Sequence, residues 1–135
     1  FPGIRKWHNA IAAELKESSS LTPPLGRRRQ FWGRIADGTT LRKAIAYVPQ
    51  STIGDLLNLG LYRVWNELKE DGVDILGQVH DAILGQFPKD KADVIVPKIL
   101  NCMKNPMEVN GRQMIIPSDC EIGSNWKDMK KYVNA

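Results

Sequence analysis

Cysteine and histidine are the scarce chemistries of this 135-residue chain: Cys102, Cys120, His8 and His80 are all it has of either. No pair of them stands at the short spacing of a CxxC or tetrahedral zinc set, which speaks against zinc. Two lone thiols fit the reduced, buried or half-buried side chains of an intracellular protein, and a disulfide between them stays open. Long apolar runs are missing too, so nothing approaches the length of a membrane span. Arg5 and Lys6 lead into an amphipathic spacing where a secretory signal would carry an apolar block. There is no phosphate-binding P-loop, no dinucleotide fingerprint, no Ser/His/Asp order, no repeat and no low-complexity tract. An initiator Met is also missing, and the start Phe1-Pro2-Gly3 carries the expectation that the chain begins inside something longer.

What is present has the length and composition of one soluble globular domain with a modest core. Charge is unevenly divided along it. Residues 1–50 hold nine Lys or Arg against three Asp or Glu, a balance of +6, while residues 51–135 hold ten against twelve, a balance of −2. The first part is therefore the anion-facing one, densest at Gly26-Arg27-Arg28-Arg29 and continued by Arg34, Arg42 and Lys43. A merely solvated basic surface is the plain alternative.

Apolar spacing predicts an amphipathic helix over Ile4–Glu17, with Ile4, Trp7, Ile11 and Leu15 on one face and Ser18-Ser19-Ser20 closing it. Thr22–Asp37 reads as an extended or hairpin ribbon that carries the arginines and Phe31-Trp32. Thr40 is placed to cap a short helix through Ala46, and Pro49 to begin a second. In that second helix Ile53, Leu56, Leu57, Gly60, Leu61, Val64 and Leu68 form the clearest buried stripe in the chain. A helix over Lys89–Lys104, kinked or interrupted at Pro97, and a short strand over Met114–Ile122 complete an α+β arrangement with helices on a small antiparallel sheet.

The sheet centres on Gly77-Gln78-Val79-His80-Asp81-Ala82-Ile83-Leu84-Gly85. Val73, Ile75, Gly77 and Val79 share one face of a period-two strand, and alternation resumes after Asp81 until Pro88. His80 and Asp81 thus fall at the tip of a tight hairpin, a stiff mount for a carboxylate that binds a divalent metal. Gly77 and Gly85, symmetric about the turn, would allow another backbone close approach. A histidine beside an aspartate is also commonplace in solvated turns. A metal phosphohydrolase built on this pair would need further ligands, and His8 is the only other histidine.

Five segments, in this order and spacing, resemble the C-terminal portion of the family A DNA polymerases, the bacterial repair and phage replicative enzymes. They are Phe1-Pro2-Gly3-Ile4, Leu25-Gly26-Arg27-Arg28-Arg29, Arg42-Lys43-Ala44-Ile45 through Pro49-Gln50-Ser51-Thr52 and Asp55, Gln78-Val79-His80-Asp81, and Gly123-Ser124-Asn125-Trp126. The resemblance implies part of a right-hand palm and nucleotidyl transfer by two Mg²⁺ ions about 3.5–4 Å apart. It implies that Asp81 is a metal ligand and that His80 holds the primer terminus. Arg42 and Gln50 match minor-groove contacts to primer-template DNA, and Arg27 and Arg28 match a ribbon along the template backbone. Deoxynucleoside triphosphates would be the other partner, with no membrane involved, in the cytoplasm of a bacterial cell or phage-infected host.

On this reading residues 1–135 are one C-terminal polymerase part: 1–40 a helix and basic ribbon, 41–71 the primer-template helix, 72–88 the metal-bearing hairpin, and 89–135 a helix, strand and tail. The chain departs from the family at Ala82, where glutamate is usual, at Ala46, where asparagine is expected, and at Pro49, which adjoins Gln50 directly. The motif that brings the second metal-bridging aspartate and the nucleotide-handling fingers motif have no counterpart here. The chain alone is therefore expected to be inactive without a missing N-terminal part that shares the two ions. A non-catalytic primer-template binding module is the alternative.

Overall fold

Pro2 at the first helical turn and Ser19 in a left-handed C-cap (φ 52°) bound the first helix, α1 (Pro2–Ser18). The computed structural model describes residues 1–34 and 37–133. After α1 come β1 (Ser20–Leu21), β2 (Arg29–Gln30), α2 (Gly38–Leu68), β3 (Asp74–Val79), β4 (Ala82–Gln86), α3 (Ala92–Met103), β5 (Met107–Val109), β6 (Arg112–Met114), β7 (Glu121–Ile122) and β8 (Lys130–Lys131). The strands pair antiparallel as four ribbons, β1 with β2, β3 with β4, β5 with β6 and β7 with β8. The fold is thus helices mixed with small antiparallel sheets. Two compact units divide within α2, Phe1–Asp55 and Leu56–Ala135.

In the first unit Ile11 and Leu15 of α1, Leu21, Phe31, Ala44 and Tyr47 form the core. The amphipathic reading of α1 holds for its second half, whereas Ile4 and Trp7 remain exposed. The basic segment forms a ribbon that begins earlier than the expected Thr22, with Leu21 opposite Arg29 and Ser20 opposite Gln30, and residues 35–36 of the expected span lie outside the described residues.

The expected break between two helices is overturned, because α2 runs unbroken for 31 residues with Pro49 inside it. A mid-helix proline costs about 3 kcal/mol. Burial outweighs it, since Ala44 and Tyr47 before it and Leu56, Leu57, Val64 and Leu68 after it are all buried, at roughly 1.5–3 kcal/mol for each large side chain. Thr52 Oγ1 donates back to Val48 O at 2.7 Å, a bond common where helices bend. Asp37 Oδ1, rather than Thr40, accepts from the first turn, at Thr39 N–H (3.0 Å). Thr40 lies buried inside the helix. Ile53 is the one member of the expected stripe that faces out.

In the second unit Val64, Leu68, Val73, Ile95 and Cys102 form the core, with Ile75, Phe87 and Ile99 packed on it. The hairpin base therefore rests on α2 and α3. The helix α3 runs through Pro97 without a break, so the expected interruption there does not occur. A single strand over Met114–Ile122 does not form. The segment divides between β6 and β7, and the sequence reading missed the turn Asn110-Gly111, whose φ values of 51° and 74° close β5 onto β6. That two-residue turn has the handedness that matches strand twist. Both cysteines are free, Cys102 buried and Cys120 half-buried.

Candidate functional site

Strands β3 and β4 pair from Asp74↔Gln86 to Val79↔Ala82, so His80 and Asp81 alone make the turn. His80 takes a left-handed φ of 54°, a region that histidine visits more readily than most side chains. The register shifts between Ile75 and Gly77, leaving Leu76 as an extra residue. Such a bulge adds local twist and bends the strand. It also removes the expected symmetry of the glycines: Gly77 faces Leu84, while Gly85 faces Ile75. A side chain at Gly77 would meet open space, but one at Gly85 would press on the Asp74 carbonyl at 3.1 Å.

Burial falls along this hairpin from a buried Val73 through half-buried Ile75, Ile83 and Leu84 to an exposed tip. A base wedged into the core thus carries an exposed imidazole and an exposed carboxylate side by side. Among the described residues neither side chain forms a hydrogen bond or ion pair within the fold. No group of three or more His, Cys, Asp or Glu able to hold a metal occurs among the described residues either. The other hairpin carboxylate, Asp74, lies at the opposite end, where Gln86 Nε2 donates to it at 3.2 Å. Asp81 is thus a lone exposed hard-oxygen donor and not by itself a metal set.

The remaining site residues lie in the first unit. Arg27 Nε donates to Asp55 Oδ1 at 2.7 Å, and Nη2 reaches the same oxygen. This pairing raises the Arg27 pKa further above its ordinary value, chiefly through the hydrogen bond. The Arg27 side chain is still 57% exposed. Its carbonyl accepts from Tyr47 Oη at 2.6 Å, tying the ribbon to α2. Arg28 Nε donates to Ser20 Oγ at 3.2 Å, and Arg42 Nη2 to Thr39 Oγ1 at 3.3 Å. Gln50 is exposed eight residues beyond Arg42 on α2, about 12 Å along the axis.

Three features went unread in the sequence. Arg29 lies over the rings of Phe31 and Tyr47, 5.0 and 5.3 Å from their centroids, a cation–π arrangement that stiffens the ribbon. The Arg-x-Phe alternation, two residues on one strand face, was its only local signal. Asp55 was quoted only as part of the helix motif, yet it is the partner of Arg27. Its Oδ2 and Ser51 Oγ, one turn apart on α2, are buried with no hydrogen-bond partner among the described residues.

The family description of DNA polymerase family A matches residues 1–128. The chain is 30% identical over 137 residues to DNA polymerase I of Deinococcus radiodurans, covering 96% of this chain and 14% of that protein. It is 25% identical over 128 residues to DNA polymerase I of Aquifex aeolicus, covering 93% of this chain and 21% of that one. It is 25% identical over 136 residues to the thermostable DNA polymerase I of Thermus thermophilus, covering 97% of this chain and 16% of that one. The chain thus spans about a fifth or less of these relatives. The fold is similar to the POL domain of Pol1 from M. smegmatis, solved in complex with DNA primer-template and dNTP. There the TM-score is 0.71 at 21% identity, covering 85% of this chain and 22% of that one.

Proposed function

The chain belongs to DNA polymerase family A, and on that premise we propose that it is the palm-bearing C-terminal part of a DNA-directed DNA polymerase. The observation that carries the reading is the His80–Asp81 turn, exposed at the tip of a hairpin whose base is packed in the core. A rigid mount holds a ligand or substrate group in place without an ordering cost at the moment of reaction.

In this role Asp81 supplies one carboxylate oxygen to Mg²⁺, and the remaining ligands come from the N-terminal part of the polymerase. When bound, the two ions would activate the primer 3′ hydroxyl and hold the triphosphate of the incoming deoxynucleotide. His80 orients the primer end by donating a ring N–H to it. Arg42 and Gln50 reach the minor groove, where acceptors common to all base pairs allow contact without sequence preference. Arg28 and the exposed flank of Arg27 follow the template backbone, with Asp55 keeping the Arg27 fork in a fixed direction. Because the tip carries a single carboxylate, the chain by itself does not polymerise. Its place of action is where the DNA is, the cytoplasm of a bacterial cell or phage-infected host.

Ala82, standing where the family carries glutamate, favours a second reading, a palm remnant that grips primer-template DNA without chemistry. Mg²⁺-dependent primer extension by the polypeptide that carries this sequence separates the two. Under the polymerase reading, Asp81→Ala abolishes extension and leaves DNA affinity in EDTA unchanged. Absence of extension by the unsubstituted polypeptide, with salt-sensitive DNA binding indifferent to Asp81, would establish the binding module instead.

A further inference from the structure

We infer that Trp32 is a stacking platform for the unpaired bases of the template strand beyond the duplex, an inference that rests on the DNA-binding reading above. Tryptophan is on average among the well-buried residues, yet Trp32 is 90% exposed. Its backbone is nonetheless held on both sides. Before it, the Phe31 N–H donates to Ser19 O at 2.8 Å, and the buried Phe31 ring meets Tyr47 edge-on with centroids 5.8 Å apart. After it, Gly33 lies so close to α2 that a side chain there would run into Thr40 Oγ1. The indole therefore projects into water from a fixed mount, with its faces open.

The charge of the segment that carries it selects the occupant. Between Glu17 and Asp37 the chain carries Arg27, Arg28, Arg29 and Arg34 and no carboxylate, and all four arginines are exposed. An open aromatic face on a segment rich in guanidinium groups is the combination that binds single-stranded nucleic acid, where the cations follow phosphates and the ring stacks on bases. Bases within a duplex are already stacked on their neighbours and offer no free face. Unpaired template bases offer one each, and stacking accepts any of the four, as copying an arbitrary template requires.

The test uses the polypeptide that carries this sequence and three fluorescent DNAs: a blunt duplex, the same duplex with a 5′ template overhang of four thymidines, and the same with four abasic sites. The unsubstituted protein should bind the thymidine overhang about tenfold more tightly than the abasic one, the scale of one base–aromatic stack. Trp32→Ala should erase that preference and leave blunt-duplex affinity unchanged, and Trp32→Phe should keep part of it. A preference that survives Trp32→Ala, or none in the unsubstituted protein while it binds the duplex, overturns the assignment alone. Loss of association with another protein in Trp32→Ala, without any change on the overhang, overturns it in favour of a protein-docking role. Failure to bind any of the three DNAs sinks the DNA-binding reading, and this inference with it.

Discussion

Arg63 Nη1 donates to Asn105 Oδ1 at 3.0 Å, and through this pair α2 is fastened to the end of α3. The same Arg63 nitrogen reaches the carbonyls of Asn101 and Cys102 at 3.3 and 3.1 Å, two of those left over at the α3 C-terminus. Asn105 is buried, and its amide nitrogen donates to Cys102 O and Met103 O at 3.1 and 3.3 Å. At Gly60 the helices come so close that a methyl group would meet Met103 Sδ.

Replacing Asn105 by Ala should therefore destabilise the fold by about 1–3 kcal/mol, because it removes the buried amide that accepts from Arg63 Nη1 and donates to the Cys102 and Met103 carbonyls. Urea unfolding monitored by circular dichroism measures this. A loss under about 0.5 kcal/mol would mean that water takes over these bonds and that the pair does not secure α3.

The left-handed turn residue separates folding from function. His80→Gly should keep the hairpin, since glycine adopts a φ of 54° freely. His80→Val should destabilise the turn by about 1–2 kcal/mol, because a branched side chain resists that conformation. If His80 holds the primer end, both variants should lower primer extension, although only the valine variant lowers the melting temperature. Full extension by the glycine variant would remove the imidazole from the proposed mechanism.

Acid should weaken one identifiable contact. Lys98 Nζ lies 2.6 Å from Asp71 Oδ2, and this hydrogen bond with its charge holds the Asp71 carboxyl below the usual carboxylate range. A depressed folded-state pKa contributes stability that is fully present above the unfolded value of about 3.9 and is lost as pH falls through the lower folded value. The melting-temperature advantage of the unsubstituted chain over Asp71→Asn should thus hold at pH 5–7, begin to fade as pH falls below about 4 and be gone only below the lower folded value. It should also shrink in salt, as both side chains are more than a third exposed. An advantage that persists at low pH would assign the stability to something other than this ion pair.

Much of the candidate site was legible because its signals are local. The alternation from Val73 to Val79, resumed after Asp81, placed His80 and Asp81 at a turn, and the structure has them as its only two residues. Leu56, Leu57, Val64 and Leu68 announced their burial by helical spacing, and the Asn110-Gly111 turn was equally local although it went unread. The partners of the site residues were not legible. Arg27 finds Asp55 at a separation of 28 residues, and Arg63 finds Asn105 at 42.

By itself, then, the sequence determined α1 and its buried second half, the basic ribbon, the His80–Asp81 hairpin, the stripe that α2 buries after Pro49, and the motifs that place the chain among the family A polymerases. Backbone geometry repeats over two residues in a strand and 3.6 in a helix, and turn residues act on their immediate neighbours, so these features are written in adjacent letters. Only the tertiary structure decided that α2 continues through Pro49, that Leu76 bulges out of register, and that Arg27 is directed by Asp55. Each of these is a local preference overruled or completed by burial and pairing between residues far apart in the chain, whose free energy exists only once the core has formed.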